Sequence, residues 1–171
     1  MIGRQGNLFE QTDVDAICIT TNGVTRSRDG AAVMGRGCAA EAVRRWPSVQ
    51  YLLGHQIRAR GNVLHLLTGD YGFNKVPMLW DEDVIGGVPD ADGIVTPWHV
   101  VAFPVKHHWK EQADLMLIGR SAYELAALAD ARGWKSVALV RPGTGNGRLS
   151  WDAVRLVIEP ILDDRFVIIQ R

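Results

Sequence analysis

The sequence predicts an α/β layer fold, with a largely parallel sheet between helices. Apolar, β-branched runs alternate with helical patterns over most of the chain, which is the signature of that layering. Two Gly-rich loops each directly follow an apolar run, at the carboxyl ends of strands where such folds gather their ligands. At 171 residues the chain is expected to form one domain, 1–171, with a proper core. Apolar residues make up 47% and charged residues 22%, the ordinary balance of a globular protein.

Taken in order, Gly6-Asn7-Leu8-Phe9 ends or follows a first strand. Residues 15–21 form a short, apolar, partly β-branched run that reads as a buried strand. Asn22 to Gly30 is a loop by composition. Val33-Met34-Gly35-Arg36-Gly37 then leads into an Ala-rich helix over 38–46, stopped by Pro47. Gly61-Asn62 opens a strand over 63–68. The stretch 69–97 carries Pro77, Pro89 and Pro97, with Asp81, Glu82, Asp83 and Asp90 among its acids, and reads as a long connection. Trp80 and Trp98 are expected to pack under it.

Residues 98–103 form the next buried strand, followed by Pro104-Val105-Lys106-His107-His108-Trp109. From about Glu111 to Arg132, Leu115, Ile118, Ala122, Leu125 and Ala129 recur at spacings of three and four, one apolar stripe of a helix. Gly133 suits its C-terminal cap. A strand at 137–140 precedes the second Gly-rich loop, Arg141 to Ser150. Ser150 is the expected N-cap of a last helix and Asp152 complements its dipole. Pro160 should kink or end that helix. A final strand covers 165–169.

A formal net charge of zero supplies no global basic field for tight non-specific binding of nucleic acid, although a local basic patch stays open. No apolar run approaches the roughly 20 residues of a membrane span. Met1 to Gln5 has no signal-peptide pattern. Cys18 and Cys38 read as buried thiols of a reducing compartment, so cytoplasm is the expected location. His99, His107, His108 and the two cysteines lack metal-ligand spacing, and no metal or cofactor is expected.

Exposed backbone N–H groups in a Gly-rich strand-to-helix turn can hold a phosphate. Gly147 is followed by Arg148-Leu149 rather than the Lys-Ser or Lys-Thr of a P-loop. Gly143 and Gly145 fit a dinucleotide fingerprint, but Arg148 occupies its third position. A turn that needs glycine only for tight geometry is the alternative. Both loops and Lys106 follow strands and belong on one rim.

These loops, with the order of elements, resemble the macrodomain family, ADP-ribose-binding modules with a mixed sheet between helices. The resemblance rests on Gly6-Asn7-Leu8-Phe9, Val33 to Ala39, Phe103 to Trp109 and Pro142 to Trp151, and covers the chain apart from 69–97. It implies a three-layer α/β/α fold with a mixed, largely parallel central sheet. Within the family the chain is most similar to the branch of terminal ADP-ribose protein glycohydrolase and the DNA ADP-ribosyl glycohydrolase antitoxins. There Lys106 corresponds to the catalytic lysine. Asn7 and Leu8 would lie by the adenine. Met34, Gly35 and Gly37, with Val33 and Pro104, would line the proximal phosphate and distal ribose. Gly143, Thr144, Gly145, Asn146, Gly147, Arg148 and Leu149 would wrap the diphosphate.

Two departures bear on mechanism. The protein-directed glycohydrolase has an acid in its second Gly loop, where this chain has Asn146 and Arg148. Asp29-Gly30-Ala31 is similar to a run of another hydrolase branch, and with Asn22 it offers a second route through an Asp-held water; turn formation is the alternative for Asp29. The resemblance implies an ADP-ribosyl hydrolase, with ADP-ribose as ligand or product. Its expected target is an ADP-ribosylated protein carrying the group on an acidic side chain; ADP-ribosylated DNA and a non-catalytic reader are the alternatives. An unrelated α/β nucleotide binder is the third reading.

Overall fold

The computed structural model describes residues 1–67 and 99–170. Its strands are β1 (Ile2–Gln5), β2 (Ala16–Asn22), β3 (His65–Leu66), β4 (His99–Lys106), β5 (Val137–Val140) and β6 (Phe166–Gln170). Its helices are α1 (Gly37–Arg45), α2 (Val49–Arg60), α3 (Leu115–Arg132) and α4 (Trp151–Ile158). The strands form one sheet in the order β1-β6-β5-β2-β4-β3. Its neighbours are parallel except β3, which runs antiparallel to β4. The mixed, largely parallel sheet is therefore as expected.

The period-two alternation of strands divides the core. Ile17 and Ile19 face one apolar cluster with Ala39, Trp46 and Leu53 of the α1–α2 side. Ala16 and Cys18 face the other, with Ile118, Leu125, Val154 and Ile158 of α3 and α4. Helices thus cover both faces. Buried strands read as continuous apolar runs because neither face meets water.

Several boundaries differ from the sequence expectation, each for a local reason. The α3 helix starts at Leu115, not near Glu111, because the Asp114 carboxylate accepts from the N–H groups of Met116 and Leu117 at 2.8 and 3.3 Å, an N-cap. Ser150 caps α4 as expected, and α4 ends at Ile158, ahead of Pro160. The α1 helix ends at Arg45, just before Trp46 and Pro47. The strand expected over 63–68 is reduced to His65–Leu66; Thr68 lies outside the described residues. So do the 69–97 connection and the two tryptophans, Trp80 and Trp98, assigned to it.

The α2 helix has no counterpart in the sequence reading. Its core positions Val49, Leu52 and Leu53 share the helix with Gly54 and Gln56, which are also buried, so its apolar stripe is interrupted. Gly54 is there because a Cβ would lie 2.1 Å from the Gly30 carbonyl oxygen. The helix and the 30–32 backbone touch directly.

Candidate active site

The site begins with an irregularity at the end of β4. Pro104 sits inside a strand with partners on both sides, where it removes one ladder donor. Opposite it the register shifts: Thr21 pairs with Pro104, but Asn22 pairs with Lys106. Val105 is the extra residue, and such bulges re-aim the side chain that follows. The Pro104 carbonyl accepts from Ser121 Oγ at 2.9 Å, which ties the strand to α3. Asn62 Nδ2 donates to the Lys106 carbonyl at 2.9 Å. Lys106 is 9% exposed, and its Nζ donates to the Asn146 carbonyl at 2.7 Å.

Asn146 belongs to the second Gly loop. Gly145–Gly147 form one 3-10 turn, closed by Arg148 N–H to the Gly145 carbonyl at 3.0 Å and Leu149 N–H to the Gly143 carbonyl at 3.1 Å. Thr144 Oγ1 donates back to the Arg141 carbonyl at 3.0 Å. The glycines divide by task. Gly143 (φ +73°) would place a Cβ 2.6 Å from Ile118 Cδ1, and Gly147 would place one 3.0 Å from Ala113 Cβ; both serve packing. Gly145 (φ +55°) has open space where a Cβ would be. Arg148 adopts the left-handed conformation at φ 62°, uncommon for a residue with a side chain.

The first Gly loop meets this one. A Cβ on Gly37 would lie 3.6 Å from Asn146 Nδ2. Asn22 fixes the loop's start, donating to the Val33 carbonyl at 2.7 Å and accepting from Val24 N–H at 3.0 Å. Met34 is buried in the core and Gly35 is open. Together the loops and β4 shape a cleft of about 380 Å³ lined by Arg36, Lys106, Trp109, Lys110, Gly145, Asn146 and Arg148. Four of the seven are cations, and none is an acid. Burial pushes the Lys106 ammonium below its ordinary range, and the positive charges of Arg148 and Arg36 push it further.

The remaining candidates lie elsewhere or have other work. The Asp29 carboxylate accepts from Ala31 N–H at 3.1 Å and Arg26 Nε at 3.0 Å and pairs with Arg28 at 3.4 Å. The backbone bond to Ala31 is the largest cause holding its carboxyl below the usual range. It is engaged in a turn and does not line the cleft. Asn7 Oδ1 accepts from Phe9 N–H at 3.2 Å, capping a 3-10 turn over Leu8–Glu10, and Leu8 is buried in the core. His107 Nε2 is 3.2 Å from Asp114 Oδ2. Both cysteines are free thiols; Cys18 is fully buried and Cys38 partly so, within 3.3 Å of Thr20 Oγ1. Among the described residues there is no cluster of His, Cys, Asp or Glu able to hold a metal, and no helix long and apolar enough to cross a membrane.

The whole described arrangement superposes on solved macrodomains. It matches that of Mycobacterium tuberculosis DarG with a TM-score of 0.67 at 23% identity, covering 99% of each chain. For the Thermus aquaticus DarG macrodomain the TM-score is 0.68 at 23% identity, covering 99% of this chain and 97% of that one. This chain has a macrodomain fold. The chain also matches Thermosipho africanus DarTG in complex with ADP-ribose, with a TM-score of 0.71 at 19% identity, over 98% of this chain and 41% of that one.

The chain is also similar in sequence to curated proteins. The DNA ADP-ribosyl glycohydrolase of Mycobacterium tuberculosis is 27% identical over 146 residues, 84% of this chain and 34% of the relative. That of Thermus aquaticus is 26% identical over 159 residues, 93% of this chain and 37% of the relative. The chain thus spans about a third of the length of the curated relatives it matches. No protein-family profile matches it.

Arg36, Trp109 and Lys110 line the cleft without having been selected from the sequence. Arg36 sits between two glycines of the first loop, and Trp109 and Lys110 directly follow the Lys106 motif. A cation between ligand-loop glycines was the available signal. For Trp109 and Lys110, only the turn after β4 brings them back over the cleft.

Proposed function

We propose that this macrodomain binds ADP-ribose in the cleft between its two Gly loops and hydrolyses the bond at C1″ of a modified base in DNA. The observation that carries the reading is Lys106: a nearly buried lysine, hydrogen-bonded to the phosphate-loop backbone and flanked by two arginines. Cations and open loop backbone suit a diphosphate. Held there, the ligand would leave its distal ribose beside the lysine, and positioning of that kind supplies much of a catalytic effect.

Lys106 has two features of an activated amine. Burial disfavours its charged form, and the neighbouring guanidiniums repel it. As a neutral amine, Nζ forms a bond to C1″ while the bond from C1″ to the base breaks; the base leaves with the electron pair and takes up a proton. Water then displaces the lysine and ADP-ribose is released. Asn22 and Asp29 have structural work in this scheme. They hold the first loop and its turn.

The choice of DNA over an acidic protein side chain reverses the order expected from sequence. It is supported by the names of the curated relatives, DNA ADP-ribosyl glycohydrolases, and by the wholly basic character of the cleft's charged residues. The absence of an acid at Asn146 and Arg148 favours a second reading, a module that holds ADP-ribose without cleaving it. Incubation with ADP-ribosylated DNA and with protein ADP-ribosylated on acidic side chains separates these. Release from DNA is expected. Tight binding of free ADP-ribose with no release from either substrate would establish the reader instead.

A further inference from the structure

Trp109 is 45% exposed, yet it lines the cleft beside Lys106, Asn146 and Arg148. Tryptophan pairs an apolar ring with a polar N–H and is enriched at interfaces, and this one stands at the mouth of a charged cleft. It is held in place, since His108 stacks on it at 5.5 Å between centroids with planes 25° apart. Lys110 N–H donates to His108 Nδ1 at 3.2 Å, and Glu111 accepts from His108 N–H at 3.1 Å. The turn that presents the indole is therefore built, and the Glu111 carboxylate is engaged in it.

We propose that Trp109 is a stacking platform for a nucleobase of single-stranded nucleic acid at the mouth of the cleft, with Lys110 and Arg148 taking the strand's phosphates. The Lys110 ammonium now lies 5.0 Å from the ring centroid. An exposed cation–ring contact of this kind is weaker than stacking of a base on an aromatic side chain, so a base displaces the ammonium. The ammonium is then free to pair with the adjoining phosphate. Arg148 lies on the same wall, its Nη2 3.4 Å from the Lys110 carbonyl. A polypeptide substrate carrying acidic side chains would satisfy the cations and leave the indole unused. An indole between cations is the combination that single strands require, because every base has a π-face and every linkage a negative charge.

This inference draws on the ADP-ribose reading for where a modified base would emerge, but its test does not need turnover. A short fluorescent oligothymidine strand is titrated by anisotropy at low salt, against native protein, Trp109→Ala and Trp109→Phe, while calorimetry follows free ADP-ribose. Trp109→Ala should weaken the strand about tenfold and ADP-ribose by much less; Trp109→Phe should restore most of the loss. The proposal is overturned if native protein does not bind the strand, if Trp109→Ala binds it equally well, or if ADP-ribose affinity falls in parallel. Strand binding that depends on Trp109, with no ADP-ribose release from modified DNA, would keep the platform and sink only the hydrolase reading.

Discussion

Lys106 Nζ and the backbone carbonyl of Asn146 are joined by a 2.7 Å hydrogen bond. The bond ties the end of β4 to the loop after β5, across β2, so the candidate nucleophile and the second Gly loop form one unit. Removing the amine should separate chemistry from binding. Lys106→Ala is expected to lose turnover by at least about a hundredfold, in line with removal of a nucleophile or its equivalent. Free ADP-ribose should still bind within a few-fold of native, as calorimetry would show. Native turnover in this variant would return the chemistry to Asp29 and Asn22.

Burial first, and then the two arginines beside Lys106, lower its pKa and so set a pH dependence. In the proposed mechanism the reactive form is the neutral amine, so kcat/KM should rise with pH through the lowered lysine pKa. Arg36→Gln removes a repelling positive charge, which raises that pKa and moves the rising limb to higher pH. A pH–rate profile checks the direction. An unmoved midpoint would mean that Arg36 acts only on ligand binding.

Glycines in the second loop should respond in opposite ways. Gly143→Ala combines a left-handed φ with a 2.6 Å contact to Ile118 Cδ1, and should lower stability by about 1–3 kcal/mol. Gly145→Asn keeps a residue that tolerates the left-handed region and places its side chain in open cleft space. It should melt near native while ADP-ribose binding falls sharply. Thermal melts paired with calorimetry distinguish the two.

Gly54 tests the contact between α2 and the 30–32 turn. In an open helix, alanine would gain about 0.5–1 kcal/mol over glycine. Here its Cβ would meet the Gly30 carbonyl oxygen at 2.1 Å and Ala32 N at 2.8 Å, and backbone cannot swing aside. Gly54→Ala should therefore lower the melting temperature, the reverse of its effect on an open helix.

Much of this fold was legible because β2, β4, β5 and β6 are buried apolar runs and its later helices carry clear caps. Ser150 and Gly133 each stand at a helix end as read, whereas the Asp114 cap sets the start of α3 beyond the expected Glu111. The α2 helix was not legible, because Gly54 and Gln56 interrupt its stripe for reasons that exist only in three dimensions. The same holds within the site. The glycines announce themselves by spacing and Lys106 by the family motif it resembles, whereas the role of Pro104 depends on a register shift against Thr21 and Asn22. Leu8 and Met34 match family positions, yet their side chains are largely spent on the core. Lys110 and Trp109 become cleft residues only when the turn after β4 folds back.

The most direct measurement is ADP-ribose release from ADP-ribosylated single-stranded DNA, by native protein and Lys106→Ala side by side, with free ADP-ribose binding measured on both. Release by the native protein, its loss in the variant and retained ADP-ribose binding in each is the predicted result. No release by native protein that binds ADP-ribose, or equal release by both, would contradict the proposed lysine-based hydrolysis.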